Sequence, residues 1–207
     1  EAQERNAQPS PYIILSADIL AHNKKEPFDV SEMKALSLER DNAITFKANK
    51  PIHMRVKDGK WGLFFNGTQS LTSNVTLPTN YRYNSPYTIS AWVLSTKVGP
   101  ISTVTSLSSS RADLANTEFR LGTDPSTGLM NHNGSFESSG AQKDIAAGEG
   151  KWQFWTITFD GWMEKVYLNG KLLKEKNNFL MIRPEGRITI GADAAGTNNF
   201  MGYINSI

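Results

Sequence analysis

Apolar and polar residues alternate along much of this chain. They do so most regularly after Lys151, where Trp155, Ile157 and Phe159 are separated by Thr156 and Thr158. A period of two puts one set of side chains on a single face of a strand, and the β-branched and aromatic content suits a strand better than a helix. Residues 166–168 lead into Asn169-Gly170 and then into Lys171-Leu172-Leu173. An Asn-Gly pair between two such runs supplies the positive φ that a two-residue hairpin needs at both central positions. Residues 13–20, 62–65, 87–93, 118–121, 188–190 and 200–207 read as further strands, and Ile101, Val104 and Leu107 give the Ser/Thr-rich stretch 95–115 one or two more. Asp124-Pro125-Ser126-Thr127-Gly128 marks a turn before a strand beginning at Leu129.

One segment reads as helical. Asp29 is placed as a cap with Glu32 three residues on, and Val30, Met33 and Leu36 share a helical face, which predicts a short helix over 29–38. A strand over 43–47 follows, with Pro51 marking a turn. The last strand, 200–207, is expected to pair with the first, 13–19, so that both ends meet in one sheet. Together these elements predict an all-β fold, a two-sheet antiparallel β-sandwich, organised as one domain over 12–207 behind a flexible polar leader over 1–11.

Composition narrows the function classes mainly by exclusion. The 207 residues are 39% hydrophobic and 20% charged, with a formal net charge of +2. Acids and bases are nearly balanced and scattered, so neither a nucleic-acid nor an anionic-membrane partner is implied. The densest basic group, Lys165, Lys171, Lys174 and Lys176, reads as a solvated sheet edge that discourages strand addition. There is no cysteine, which excludes disulfides, thiolate metal ligands and cysteine nucleophiles. No run approaches the roughly 18 apolar residues of a membrane helix, so no membrane insertion is expected. The sequence begins with Glu1, and its leader lacks the apolar block of a signal peptide, which suits a mature secreted protein or a lipoprotein tether.

The order of the motifs carries more than any one of them. Trp155 to Asp160-Gly161, then Asn169-Gly170, Ile190-Gly191 and Gly202-Tyr203-Ile204 resemble the C-terminal half of laminin-G-like, concanavalin A-like jelly-roll domains. Phe64-Phe65-Asn66-Gly67, Tyr87-Thr88-Ile89-Ser90-Ala91-Trp92-Val93 and the opening run from Ile13 resemble the upstream half, as found in a secreted bacterial branch. The resemblance implies a jelly roll on which Trp92, Trp152 and Trp155 pack the core. It also implies a secreted or cell-surface bacterial protein. It does not fix an activity, because the architecture serves lectins, glucanases, lyases and adhesion modules alike.

Catalytic constellations are absent where that resemblance would place them. Glucanases of the fold carry Glu-x-Asp-x-x-Glu on one strand, and the alginate-lyase branch carries Arg-x-Glu with Gln-Ile-His; neither pattern occurs. Glu118 and Arg120 point to one side of a strand and read as an exposed ion pair worth under about 1 kcal/mol. His22, His53 and His132 lack zinc-ligand spacing, and no Gly-x-Ser-x-Gly elbow is present. Calcium, which uses loop carboxylates and carbonyls, is the cofactor the resemblance leaves open, with Asp193 and Asp18 as candidate ligands.

These observations predict a non-catalytic carbohydrate-binding module without an obligatory cofactor. Trp162, beside Met163 in a turn where relatives carry Gly, Asn or Ser, is the ring expected to be exposed for stacking. Arg120, His132 and Asn133 are the candidate polar contacts. A spacer or protein-interaction domain, working with companion domains or surface proteins, is one alternative. A glycan-active hydrolase or lyase is the other.

Overall fold

The structure, a computed structural model, describes residues 13–36, 44–77, 85–99, 101–108, 118–121, 147–177 and 186–207. Its elements are α1 (Ala17–Leu20), β1 (Phe28–Lys34), β2 (Thr45–Lys57), β3 (Lys60–Asn66), β4 (Leu71–Thr76), β5 (Tyr87–Ser95), β6 (Ser102–Ser108) and β7 (Glu118–Leu121). They continue with β8 (Gln153–Phe159), β9 (Met163–Leu168), β10 (Lys171–Asn177), β11 (Arg187–Ile190) and β12 (Met201–Ser206). The strands hydrogen-bond in the order β10-β9-β8-β5-β12-β3-β2-β4-β11-β6-β7, with β1 beside β2. The path folds over at β2, which pairs with β4 through Phe46, Lys47 and Ala48 and with β3 through His53 to Lys57.

The result is a β-sandwich jelly roll. A larger sheet runs from β10 to β2 and a smaller one from β2 to β7. Their inner faces share one apolar core that includes Trp155, Ile157, Val93, Ile204, Phe65, Met54, Phe46, Leu71, Val104 and Phe119. Trp155 of β8 is fully buried, and its ring lies 6.2 Å from that of Phe119 on β7, which joins the two layers. The predicted hairpin is present: Asn169 and Gly170 have φ of 49° and 80° between paired Leu168 and Lys171. β10 forms the edge, with Lys171 exposed.

Several expectations are corrected. Residues 28–34 are strand, not helix. The register slips between Val30 and Glu32, where Val30 pairs with Ile52 and Glu32 with Lys47, leaving three extra residues on β2, and on either side of this break Val30 and Met33, three apart, both face the core. That spacing imitates a helical face. Pro51 does not end a strand. It sits inside β2, between the stretch that pairs with β4 and the stretch that pairs with β3, where its missing N–H breaks no ladder bond to either. Among the described residues the opening segment forms bridges at Ile14 and Ser16, after which the Ser16 hydroxyl caps the short helix α1. β12 lies between β3 and β5, and meets the opening segment only at its end, where Leu15 and Ile207 exchange backbone bonds of 2.8 and 3.0 Å.

Candidate functional site

The smaller sheet turns a polar face away from the core, and its strand registers line up one continuous row. Glu32 pairs with Lys47, Lys47 with Thr72, Thr72 with Thr189, Thr189 with Ser106 and Ser106 with Glu118. Directly opposed residues share a face, so six polar side chains from β1, β2, β4, β11, β6 and β7 form one line. Burial deepens along it: Glu32 and Lys47 are exposed, Thr72 is half-buried, and Ser106 and Glu118 are 0% and 1% exposed. Arg120 and its partner Thr103 lie next to this end.

The Glu118–Arg120 pair therefore departs from expectation. It exists, with Arg120 Nε donating to Glu118 Oε2 at 2.8 Å, but both side chains are almost wholly buried. Burial pushes the Glu118 carboxyl above its usual range. The Arg120 charge and hydrogen bond pull it down, and the Asp193 carboxylate adds to the rise. Beside the pair, the hydroxyls of Thr103 and Ser106 are buried and have no hydrogen-bond partner among the described residues. A buried hydroxyl without a partner costs about 1–3 kcal/mol. The Ser/Thr-rich stretch that holds both residues was legible in the sequence only as strand. Its hydroxyls gain meaning from the registers with β7 and β11.

The loop after β11 closes one side of this region. Thr103 N donates to Asn198 O at 2.7 Å, and Thr103 forms a parallel bridge with Asn199. Asp193 organises the loop: its Oδ1 accepts from the N–H groups of Ala195 and Thr197, and its Oδ2 from the Thr197 hydroxyl and Asn198 Nδ2. Four donors thus occupy the carboxylate where a calcium ion would need its lone pairs. Asp18 accepts from Asn205 Nδ2 at 2.9 Å, and the same amide reaches Trp61 O, tying α1 to β12 and β3. Among the described residues no three His, Cys, Asp or Glu side chains gather as a metal cluster.

Trp162 is where the turn chemistry puts it. Asp160 Oδ1 accepts from the N–H groups of Trp162 and Met163 at 2.9 and 2.7 Å, Gly161 takes φ of 102°, and the indole is left 62% exposed. The two backbone donors hold the Asp160 carboxyl below its usual range. His132 and Asn133 lie outside the described residues. Trp92 and Trp152 are corrected: only Trp155 of the three is in the core, while the other two are half-buried on the outer face of the larger sheet. Trp152 lies across that face, its Nε1 donating to Lys57 O at 2.9 Å. Glu164 is buried on β9, in a different sheet from Glu118. A cavity of about 10 Å³ between Leu15, Met33, Leu63 and Ile204 is too small to hold a ligand.

A family model of laminin-G-like domains, described as the concanavalin A-like lectin/glucanase superfamily, matches residues 66–207. The chain belongs to this superfamily. No curated protein matches the sequence. Among solved structures, the superfamily fold is similar to domain 4 of an extracellular arabinanase from Geobacillus stearothermophilus in complex with arabinotriose. The identity is 13%, the TM-score 0.57, and the match covers 94% of this chain and 89% of that one. A match with the binding domain of botulinum neurotoxin DC in complex with SialylT has 16% identity and TM-score 0.46, over 85% of this chain and 46% of that one. A prokaryotic β-1,3-1,4-glucanase derived from a mouse hindgut metagenome matches at 12% identity and TM-score 0.41, over 74% of this chain and 80% of that one. No helix among the described residues is long and apolar enough to cross a membrane.

Proposed function

We propose that the chain is a non-catalytic carbohydrate-binding module of a secreted or cell-surface bacterial protein, and that its sugar site is the deep end of the polar row. The observation that carries this reading is the pair of unpartnered buried hydroxyls, Thr103 Oγ1 and Ser106 Oγ, on the face that also holds the Glu118–Arg120 pair. Sugars present vicinal hydroxyls that both donate and accept. Serine and threonine hydroxyls do the same, and a carboxylate accepts two such bonds. A ring bound here satisfies groups that have no partner among the described residues. The groups are buried, so binding has to open this face, which lowers the association rate below that of a rigid site. The arabinotriose complex of the arabinanase domain supports a sugar ligand on this architecture.

The arrangement argues against hydrolysis by a carboxylate pair. That chemistry needs two carboxyls with separate roles. Here Asp193, the acid whose charge Glu118 feels, is saturated by four donors of its own loop, and Glu118 is held by Arg120. Because Asp193 is so occupied, sugar binding is proposed to proceed without calcium. The test is a glycan array followed by calorimetry on the hits, each with and without EDTA. Binding to neutral oligosaccharides that is insensitive to EDTA and weakened by Ser106→Val is the expected outcome. Reducing ends released from a bound glycan, and lost in Glu118→Gln, would replace this reading with an enzymatic one.

A further inference from the structure

The larger sheet also carries an organised outer face. Its registers place His53, Phe64, Tyr203 and Leu94 opposite one another across β2, β3, β12 and β5, and Trp92 opposite Phe154. Phe64 and Tyr203 have ring centroids 4.9 Å apart, Trp152 and Tyr203 6.3 Å, and Trp92 and Phe154 5.1 Å. Cations lie on top of these rings. The Arg55 guanidinium carbon is 4.2 Å from the Phe64 centroid and 5.2 Å from that of Tyr203, and Lys60 Nζ is 4.9 Å from the Trp92 centroid. Gly62, opposite Arg55, leaves room for two of these rings: a Cβ there would meet Tyr203 and Trp152 at 3.2 and 3.3 Å.

The acids of this face are already engaged: Asp29 with His53 at 2.9 Å, and Asp58 with Lys57 at 3.1 Å. Arg55 has no carboxylate partner among the described residues, and its Nε is buried without a hydrogen bond. A guanidinium ordinarily finds planar acceptors for its fork of donors. Here two aromatic faces fix it in place and leave the fork unfilled. Arg55 faces Gly62, and Lys60 stands two residues further along β3, a displacement of about 7 Å along the strand. Two positive charges are thus held over one layer of mutually tilted aromatic rings.

We propose that this outer face is a second ligand site, where Arg55 and Lys60 bind the acidic groups of an anionic oligosaccharide. The site lies on the opposite sheet from the polar row and does not depend on it. A planar carboxylate or a sulfate ester fits the Arg55 fork equally, and the two sources are separated by the choice of probe.

Calorimetry on the full chain would use oligogalacturonate for the carboxylate, a sulfated chondroitin oligosaccharide for the sulfate, cellohexaose as a neutral sugar and inorganic sulfate alone. At least one acidic oligosaccharide should bind, more weakly as salt is raised, while cellohexaose does not compete with it. Arg55→Gln should weaken that binding at least tenfold and Lys60→Gln severalfold, whereas Arg55→Lys should keep part of it. Ser106→Val should leave it unchanged, which separates this site from the polar row. Should Arg55→Gln fail to fold, Lys60→Gln and the salt dependence still decide. The proposal is overturned if no acidic oligosaccharide binds at millimolar concentration, if inorganic sulfate binds as tightly as the sulfated sugar, if folded Arg55→Gln binds normally, or if Ser106→Val abolishes the same binding.

Discussion

Thr103→Val separates stability from binding at one atom. The substitution exchanges a hydroxyl for a methyl of nearly the same volume and leaves the Thr103 N–H bond to Asn198 O intact. The hydroxyl is fully buried and has no partner among the described residues. Its removal relieves a desolvation cost of about 1–3 kcal/mol. Allowing for an imperfect fit of the methyl, a gain of about 1 kcal/mol is expected, which for a chain of this size raises Tm by roughly 2–4 °C. With sugar bound, the same change deletes a hydrogen bond and strands a ligand hydroxyl, weakening affinity by about 1.5–3 kcal/mol, or roughly ten- to a hundredfold. Urea unfolding and calorimetry on one preparation measure both. A variant destabilised by more than about 1 kcal/mol would show that the hydroxyl serves the fold. An unchanged affinity would remove it from the sugar site.

Three further outcomes are expected. Trp155→Ala should cost about 3–5 kcal/mol in urea unfolding, because the ring is fully buried between the sheets; a loss below about 1 kcal/mol would contradict the packing against Phe119. Trp162→Ala should leave Tm within about a degree, since the indole is mostly exposed; a stability loss of several kcal/mol would show the ring packing on its own domain. Glu118, with its folded value raised above 4.5, stabilises the chain fully below that pH and loses the contribution as pH rises through the folded value. Glu118→Gln should therefore flatten the decline in unfolding midpoint as pH rises above 4.5, and an unaltered slope would refute the shift.

What was legible in the sequence was local. The hairpin at Asn169-Gly170 and the alternation through Trp155 need only neighbouring residues, and both are present in the structure. β1 resembles a helix in the sequence because a register break against β2 leaves Val30 and Met33, three apart, both facing the core, a spacing that helices share. The outward positions of Trp92 and Trp152 follow from strand parity against Val93 and Trp155, which a motif position alone does not convey. The polar row was not legible at all. Lys47, Thr72, Ser106, Glu118 and Thr189 come from five strands scattered over most of the chain, and only the antiparallel registers bring them together. The Glu118–Arg120 pair was legible as a pair but not as buried, since burial depends on what other strands and loops place around it.

The passage of β2 from one sheet to the other through Pro51 has a consequence for cooperativity. Lys47 at one end of this strand belongs to the polar row, and Arg55 at the other to the aromatic floor. Neither layer can lose its ladder at β2 without releasing a strand that the other also needs. The sandwich should therefore melt as one unit, with the amides of β2 among the slowest to exchange and a single transition seen by tryptophan fluorescence and by backbone circular dichroism.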